Sequence, residues 1–210
     1  MTQMSRWTMA MAAVALGLAA CSGRKDENTP DTAKAAMAPG PAMAGSDSTR
    51  RDSAATPGGT MSDANILAQE HGGDSAEVAI AQYVKAHTSD AGVKSFAQLL
   101  IDDHSKGETE VQTVAKKASI TPQPASNDTT SQETAHTIAH LSTLKGHDLD
   151  TAFVAHEIQD HQTDIADAHK AASDAQNAQV KQLVEKSLPE LQKHLDRAQS
   201  LNRKLTAGRG

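Results

Sequence analysis

Aromatic side chains make up only 2% of this 210-residue chain. Apart from Trp7 near the start, there are Tyr83, Phe96 and Phe153. Little is available to stack bases or sugars, so any core must be built from Ala, Val, Leu and Ile. Cysteine is almost missing as well. Cys21 stands alone, which excludes an intramolecular disulfide and any cysteine-based metal site. There is no concentration of positive charge. Acidic and basic residues mix along the chain at a net charge of −6, and without a basic stripe nucleic acid is not expected as a partner. Phosphate loops, dinucleotide fingerprints and serine or cysteine nucleophile arrangements are not evident either. Nothing in the sequence points to a reaction, and enzymatic activity is not the expected reading.

The N-terminus reads as a targeting segment. "MTQMSRW" carries one positive charge at Arg6, and "TMAMAAVALGLAA" follows as an apolar run too short to span a bilayer. It ends in Leu18-Ala19-Ala20-Cys21, which resembles the lipobox of bacterial lipoproteins, with small residues before a cysteine that accepts the lipid. On that resemblance residues 1–20 are a lipoprotein signal peptide and Cys21 is the lipidated residue. Acyl chains there would anchor the protein to a membrane without spanning it. Ser22 in place of aspartate implies, by the Gram-negative sorting rule, the outer membrane with the domain facing the periplasm. An ordinary secretory signal with an incidental cysteine is the competing reading.

Residues 21–61 are rich in Ala, Pro, Gly, Ser, Asp and Met and show no apolar periodicity. Such a stretch buries too little surface to offset its ordering entropy, and it is expected to be a disordered tether. Residues 62–206 form one domain in which every patterned segment has a helical period. Four long helices are expected at about 64–87, 89–117, 148–173 and 177–204, with a shorter one at 130–144. Ser89, the box Thr130 to Glu133 and Asp148 are expected to cap starts. Gly72-Gly73 marks an irregularity, after which Asp74 to Glu77 fits a capping box if the helix restarts, and Pro189 a kink or restart near Ser187. One long connection between two tight hairpins is the ferritin-like topology. An up-down-up-down bundle with the short helix across one end is the alternative.

Ionisable residues sit where apolar ones are expected. "QLLIDDHSKGE" (98–108) carries an apolar stripe straight into Asp103 and His104, and "EIQDHQTDI" (157–165) does the same with Asp160 and His161. In the fourth long helix His194 shares a face with Leu191, Ala198 and Leu201. In the first, Glu70 and Glu77 lie in line with Ile66, Ile80 and Val84. Adjacent helical residues point about 100° apart, so in each Asp-His pair the histidine is the interior candidate. The aspartate then serves as a supporting partner. The candidate metal ligands are Glu77, His104, His161 and His194, supported by Asp103, Asp160, Glu157 and Glu190. Neutral imidazoles and carboxylates from four helices suit iron, manganese or zinc. The absence of Glu-x-x-His at these positions disfavours a di-iron centre. Equally open is a polar cluster that holds no metal and only stabilises the fold. The remaining histidines, His156 among them, are expected on polar faces or near ends.

Three stretches resemble a known family. "AEVAIAQYVKAHTSDAGVKSFAQLLIDDHSK", "LSTLKGHDLDTAFVAHEIQDHQTDI" and "LPELQKHLDRAQSL", in that order, are similar to the bacterial domain of unknown function 4142. That family is placed among ferritin-like proteins and often described as exported. The resemblance covers about residues 62–202 and implies a ferritin-like four-helix bundle with Glu77, His104, His161 and His194 in the family pattern. It implies no established activity. The expected function is thus a lipid-anchored envelope protein, attached through its lipid with no protein partner indicated. It either binds a divalent metal or serves as a structural or stress-response interaction module.

Overall fold

A computed structural model of the chain describes residues 59–207. Cys21, the expected signal peptide and nearly all of the expected tether lie outside the described residues. Five helices follow in order: α1 (Asp63–His87), α2 (Ala91–Ala118), α3 (Thr130–Ser142), α4 (His147–Asp174) and α5 (Ala178–Ala207). No strand occurs among the described residues. The domain is an all-α, ferritin-like bundle.

Helix starts depart by a residue or two from the expected caps. Ser62 caps α1 by accepting from the Asn65 N–H at 3.1 Å. α2 is capped by Asp90, not Ser89; its carboxylate accepts from the Val93 N–H at 2.8 Å and carries a charge that the helix dipole favours. Thr129, not Thr130, precedes α3, and its hydroxyl donates to Glu133 at 2.6 Å. Gly146, at φ +54°, precedes α4, which leaves Asp148 in the first turn. This left-handed conformation suits glycine.

Neither α1 nor α5 breaks and restarts at the points expected from the sequence. α1 runs unbroken through Gly72-Gly73, where a Cβ on Gly72 would lie 3.5 Å from Thr130 at the start of α3. Two helical glycines cost about 2 kcal/mol together, which the packing of a 25-residue helix on four neighbours absorbs. α5 likewise continues through Pro189. Proline cannot bond the Glu185 carbonyl, but Glu185 and Pro189 are both exposed, so water replaces the missing donor.

The direction of each helix follows from two separate apolar clusters. One joins Ile80 and Val84 of α1, Phe96 and Leu100 of α2, Leu141 of α3, Phe153 and Val154 of α4, and Ala198 and Leu201 of α5. The other joins Ile66 and Leu67, Val111 and Ala115, Ala168 and Ala171, and Val180 and Val184. Hence α1 and α2 are antiparallel, as are α4 and α5, whereas α2 and α4 run the same way. α3 carries the chain back between them along α1 and α4. That long crossover is the ferritin-like connection, and it rules out a short helix laid across one end. The Asn65 amide and the Ala64 carbonyl pin the crossover by bonds to the Gln123 backbone, at 2.8 and 3.0 Å.

No apolar side chain fills the middle. At that level each long helix contributes ionisable groups: Glu70, Asp74 and Glu77; Asp103 and His104; Glu157, His161 and Asp164; His194. The bundle is two apolar cores separated by a polar layer.

Since α5 is continuous, Pro189→Ala is expected to restore one helical hydrogen bond and raise unfolding stability by about 1–3 kcal/mol. Urea unfolding of the two chains measures this. Unchanged or lower stability would mean that the proline is matched to its site.

Candidate metal centre

Three imidazoles meet in the polar layer. His104 comes from α2, His161 from α4 and His194 from α5, with ring centroids 5.2 to 5.8 Å apart. One nitrogen from each lies within 4.8 Å of the others. All three rings are buried, at 7%, 0% and 1% exposure.

Each ring is held from behind. His161 Nδ1 donates to the Glu157 carbonyl oxygen at 3.0 Å. His194 Nε2 bonds Asp103 Oδ2 at 2.9 Å, and the Lys193 ammonium donates to the same oxygen at 3.1 Å. His104 Nδ1 bonds Asp74 Oδ1 at 2.8 Å. Gly107, one turn beyond His104, makes room for that carboxylate, because a Cβ there would lie 2.7 Å from Asp74 Oδ2.

These bonds assign the tautomers. A carbonyl oxygen only accepts, so His161 carries its proton on Nδ1. Partial burial alone would raise Asp103, but its bonds from His194 and Lys193 hold it below the usual carboxylate range. It is therefore ionised at neutral pH, and His194 carries its proton on Nε2. The nitrogens left over, His161 Nε2 and His194 Nδ1, are both lone pairs, and they face each other at 3.2 Å. Burial raises Asp74, against its bond to His104; where it is ionised, His104 is protonated on Nδ1, which leaves its buried Nε2 without a partner. Three lone pairs then converge on one space, beside the cavity that His104 and His194 line.

Such a convergence suits a cation, and a proton is a poor choice of one. Burial, followed by the His194 and His104 imidazoles, pushes His161 down to about 3. Burial likewise lowers His194, against the pull of Asp103. A divalent transition ion fits better. Bonds of about 2.05 Å in a tetrahedron give an edge of about 3.3 Å, close to the observed spacing of His161 and His194. A backing carboxylate or carbonyl on the far nitrogen is the usual support of a metal-bound histidine.

The carboxylates of the layer form a second group. Glu77 is 2% exposed and Glu157 0%, and no carboxylate oxygen of either has a hydrogen-bond partner. Burial drives Glu77 far above the carboxylate range, and the nearby Glu157 and Asp160 add to this without making a well-formed bond. Burial also pushes Glu157 up to about 8. Asp164 rises to about 8 and Glu70 to about 7, by burial and then by the charges of Asp160 and Asp74 respectively. Beside them lies a cavity of about 450 Å³, reached by all five helices. Lys186 is the one lysine or arginine in its wall, against Glu70, Asp74, Asp160, Asp164 and Asp167 among others. Such a wall concentrates cations.

Of the residues expected from the sequence, His104, His161 and His194 come together. Glu77 does not join them; its closest ligand sets are His161 with Asp164, and His156 with Glu157. Asp103 backs His194, and Glu157 backs His161 through its carbonyl. Asp160 lines the cavity. Glu190 lines it as well but pairs with Lys106 at 3.4 Å, not with His194. Asp74 fits a capping box in the sequence, but because α1 does not restart, its side chain is free to reach His104. His156 is half-buried with a buried, unpartnered Nε2, not on a solvent-facing surface. Only its position one residue before Glu157 hints at this.

The model of one family, domain of unknown function DUF4142, matches residues 48–201. No curated protein matches the chain. Among solved structures, a DUF305 protein from Streptomyces coelicolor, described as secreted, superposes with a TM-score of 0.60. It is 12% identical, over 69% of this chain and 93% of that one, a likeness of fold alone.

Two opposing pH dependences are expected for the metal-free protein. Glu157, Asp164 and Glu70 bind protons more tightly folded than unfolded, where 4.5, 3.8 and 4.5 apply. Their contribution is complete below those values and is lost as pH rises to about 8. His161 acts in reverse: its contribution is complete above 6.5 and is lost as pH falls toward about 3. Above about 4.5 three carboxyls outweigh one imidazole, so urea midpoints measured in chelator should peak at about pH 4 and decline steadily to pH 8. A midpoint that climbs steadily from pH 5 to 8 would contradict these shifts.

Proposed function

The chain belongs to the DUF4142 family, and on that footing we propose that it is a lipid-anchored envelope protein whose bundle binds a divalent transition ion at His104, His161 and His194. The convergence of three unprotonated ring nitrogens, each backed on its far side, carries this reading. An all-imidazole set suits zinc, copper, nickel or iron better than manganese. With three protein ligands a fourth position stays open, but no nucleophile or acid–base pair beside it indicates a reaction.

Attachment is assigned to Cys21, with residues 1–20 as its signal peptide, residues 21–61 as the tether, and the outer membrane as destination because Ser22 follows the cysteine. No helix among the described residues is long and apolar enough to cross a membrane. The secreted description of the Streptomyces protein is in line with export.

A second reading has one observation in its favour: His161 Nε2 and His194 Nδ1 stand 3.2 Å apart, a distance that one shared proton would also satisfy. The layer would then be structural, fixing helix register in an envelope interaction or stress-response module.

Zinc titration of the whole chain, purified without a histidine tag and stripped by chelator, separates the two. Replacing a ligand, as in His104→Ala or His194→Ala, is expected to weaken zinc binding by at least about a hundredfold. Asp103→Asn, which alters only the backing, is expected to cost about ten- to a hundredfold. If zinc affinity is unchanged in all three and each loses about 1–3 kcal/mol of stability whether or not zinc is present, the layer is structural. For the anchor, Cys21→Ser is expected to move the protein from the membrane fraction to the soluble periplasm. Retention in the membrane would exclude Cys21 as the attachment.

A further inference from the structure

We infer that Glu77, Glu157 and His156 form a second cation position, separate from the three histidines, which takes a divalent ion of oxygen preference such as Mn²⁺ or Fe²⁺. One ligand atom from each of these residues lies within 4.8 Å of the other two. Glu77 reaches the place from α1, and His156 and Glu157 from α4.

The unpartnered atoms are the reason. Both oxygens of Glu77, both oxygens of Glu157 and Nε2 of His156 are buried without a hydrogen bond. Buried carboxylates are paired, hydrogen-bonded or bound to metal, because isolating one from water is very costly. The imidazole nearest to Glu157, that of His161, already gives its Nδ1–H to a carbonyl and stands 3.6 Å from the Glu157 carboxylate. No lysine or arginine among the described residues bonds either carboxylate. Glu77 lies near enough to Glu157 to pull it down against burial, but the two make no well-formed hydrogen bond, and their oxygens converge with His156 on one place.

The donor set selects the ion. Once an ion displaces their protons, the two carboxyls supply a charge of −2 and hard oxygen donors, with one imidazole beside them, a set that favours manganese or ferrous iron. The neighbouring cluster of three neutral imidazoles favours zinc or copper. One polar layer thus offers two positions of different chemistry, and the Glu157 residue belongs to both. Its carboxylate serves one, and its carbonyl orients His161 in the other. Glu77 and His156 line the cavity, which gives the ion a route in past Asp160 and Asp164. The ligands differ from those of the three-histidine centre, so either assignment stands or falls without the other.

Mn²⁺ titrated into the metal-free whole chain, followed by the EPR signal of the free ion, tests this. The wild type and a His104→Ala/His194→Ala double variant are each expected to bind one Mn²⁺. Glu77→Gln and Glu157→Gln are expected to bind it at least tenfold more weakly while still taking up zinc, which shows that the fold and the other centre survive. No Mn²⁺ uptake by the wild type, unchanged uptake in both glutamine variants, or loss of uptake in the histidine double variant alone would overturn the assignment. Pulsed EPR of wild-type protein with Mn²⁺ needs no variant: a single nitrogen coupling is expected from His156. Three nitrogens would place the ion among the histidines instead, and none would remove His156 from the site.

Discussion

Two lone pairs 3.2 Å apart at a buried position repel each other, and the middle of this bundle is arranged around such a pair, His161 Nε2 and His194 Nδ1. Neither ring can turn away. His161 is tied to the Glu157 carbonyl one turn back on its own helix, and His194 is tied to Asp103 on another. His104, held by Asp74, brings a third lone pair to the same space. Every other feature of the layer either maintains this convergence or supplies charge around it.

The fold accommodates the layer by dividing its core. Phe96 and Phe153, tilted at 6.0 Å, anchor one apolar end, and Ile66, Leu67, Val111 and Val184 form the other. Each end closes over all four long helices, so the helices are fixed on both sides of the polar residues and need little apolar contact between. Fully buried aliphatic or aromatic side chains are each worth about 1.5–3 kcal/mol, and together they offset the desolvation of a few ionisable groups. α3 completes the arrangement by lying along α1 and α4 and bringing threonines and Glu133 to the cavity.

Much of this was legible in the sequence, and for a definite reason. In α2 and α4 the apolar stripe continues on both sides of His104 and His161, so period alone places those rings inside. The tight and long connections likewise indicate the crossover topology. Contacts between helices were less accessible. Asp74 looks like a cap and acts as the partner of His104, because Gly107 on the facing helix leaves the space. By local spacing Glu190, one turn before His194, has the claim on it, but Glu190 turns out to Lys106 and Asp103 reaches the ring from another helix. Glycine and proline were over-read: Gly72-Gly73 and Pro189 weaken helices locally, and the packing of two hairpins overrides a penalty of a few kcal/mol.

The protonation of the rings is the most direct test of the arrangement. Histidine side-chain ¹⁵N–¹H NMR of the metal-free whole chain at neutral pH should show His161 protonated only at Nδ1, His194 only at Nε2 and His104 only at Nδ1. Adding zinc should then shift the three unprotonated nitrogens and leave the protonated ones in place. If His161 or His194 proves doubly protonated without metal, or if His194 carries its proton on Nδ1, a proton bridges the pair. The cluster would then be satisfied without an ion.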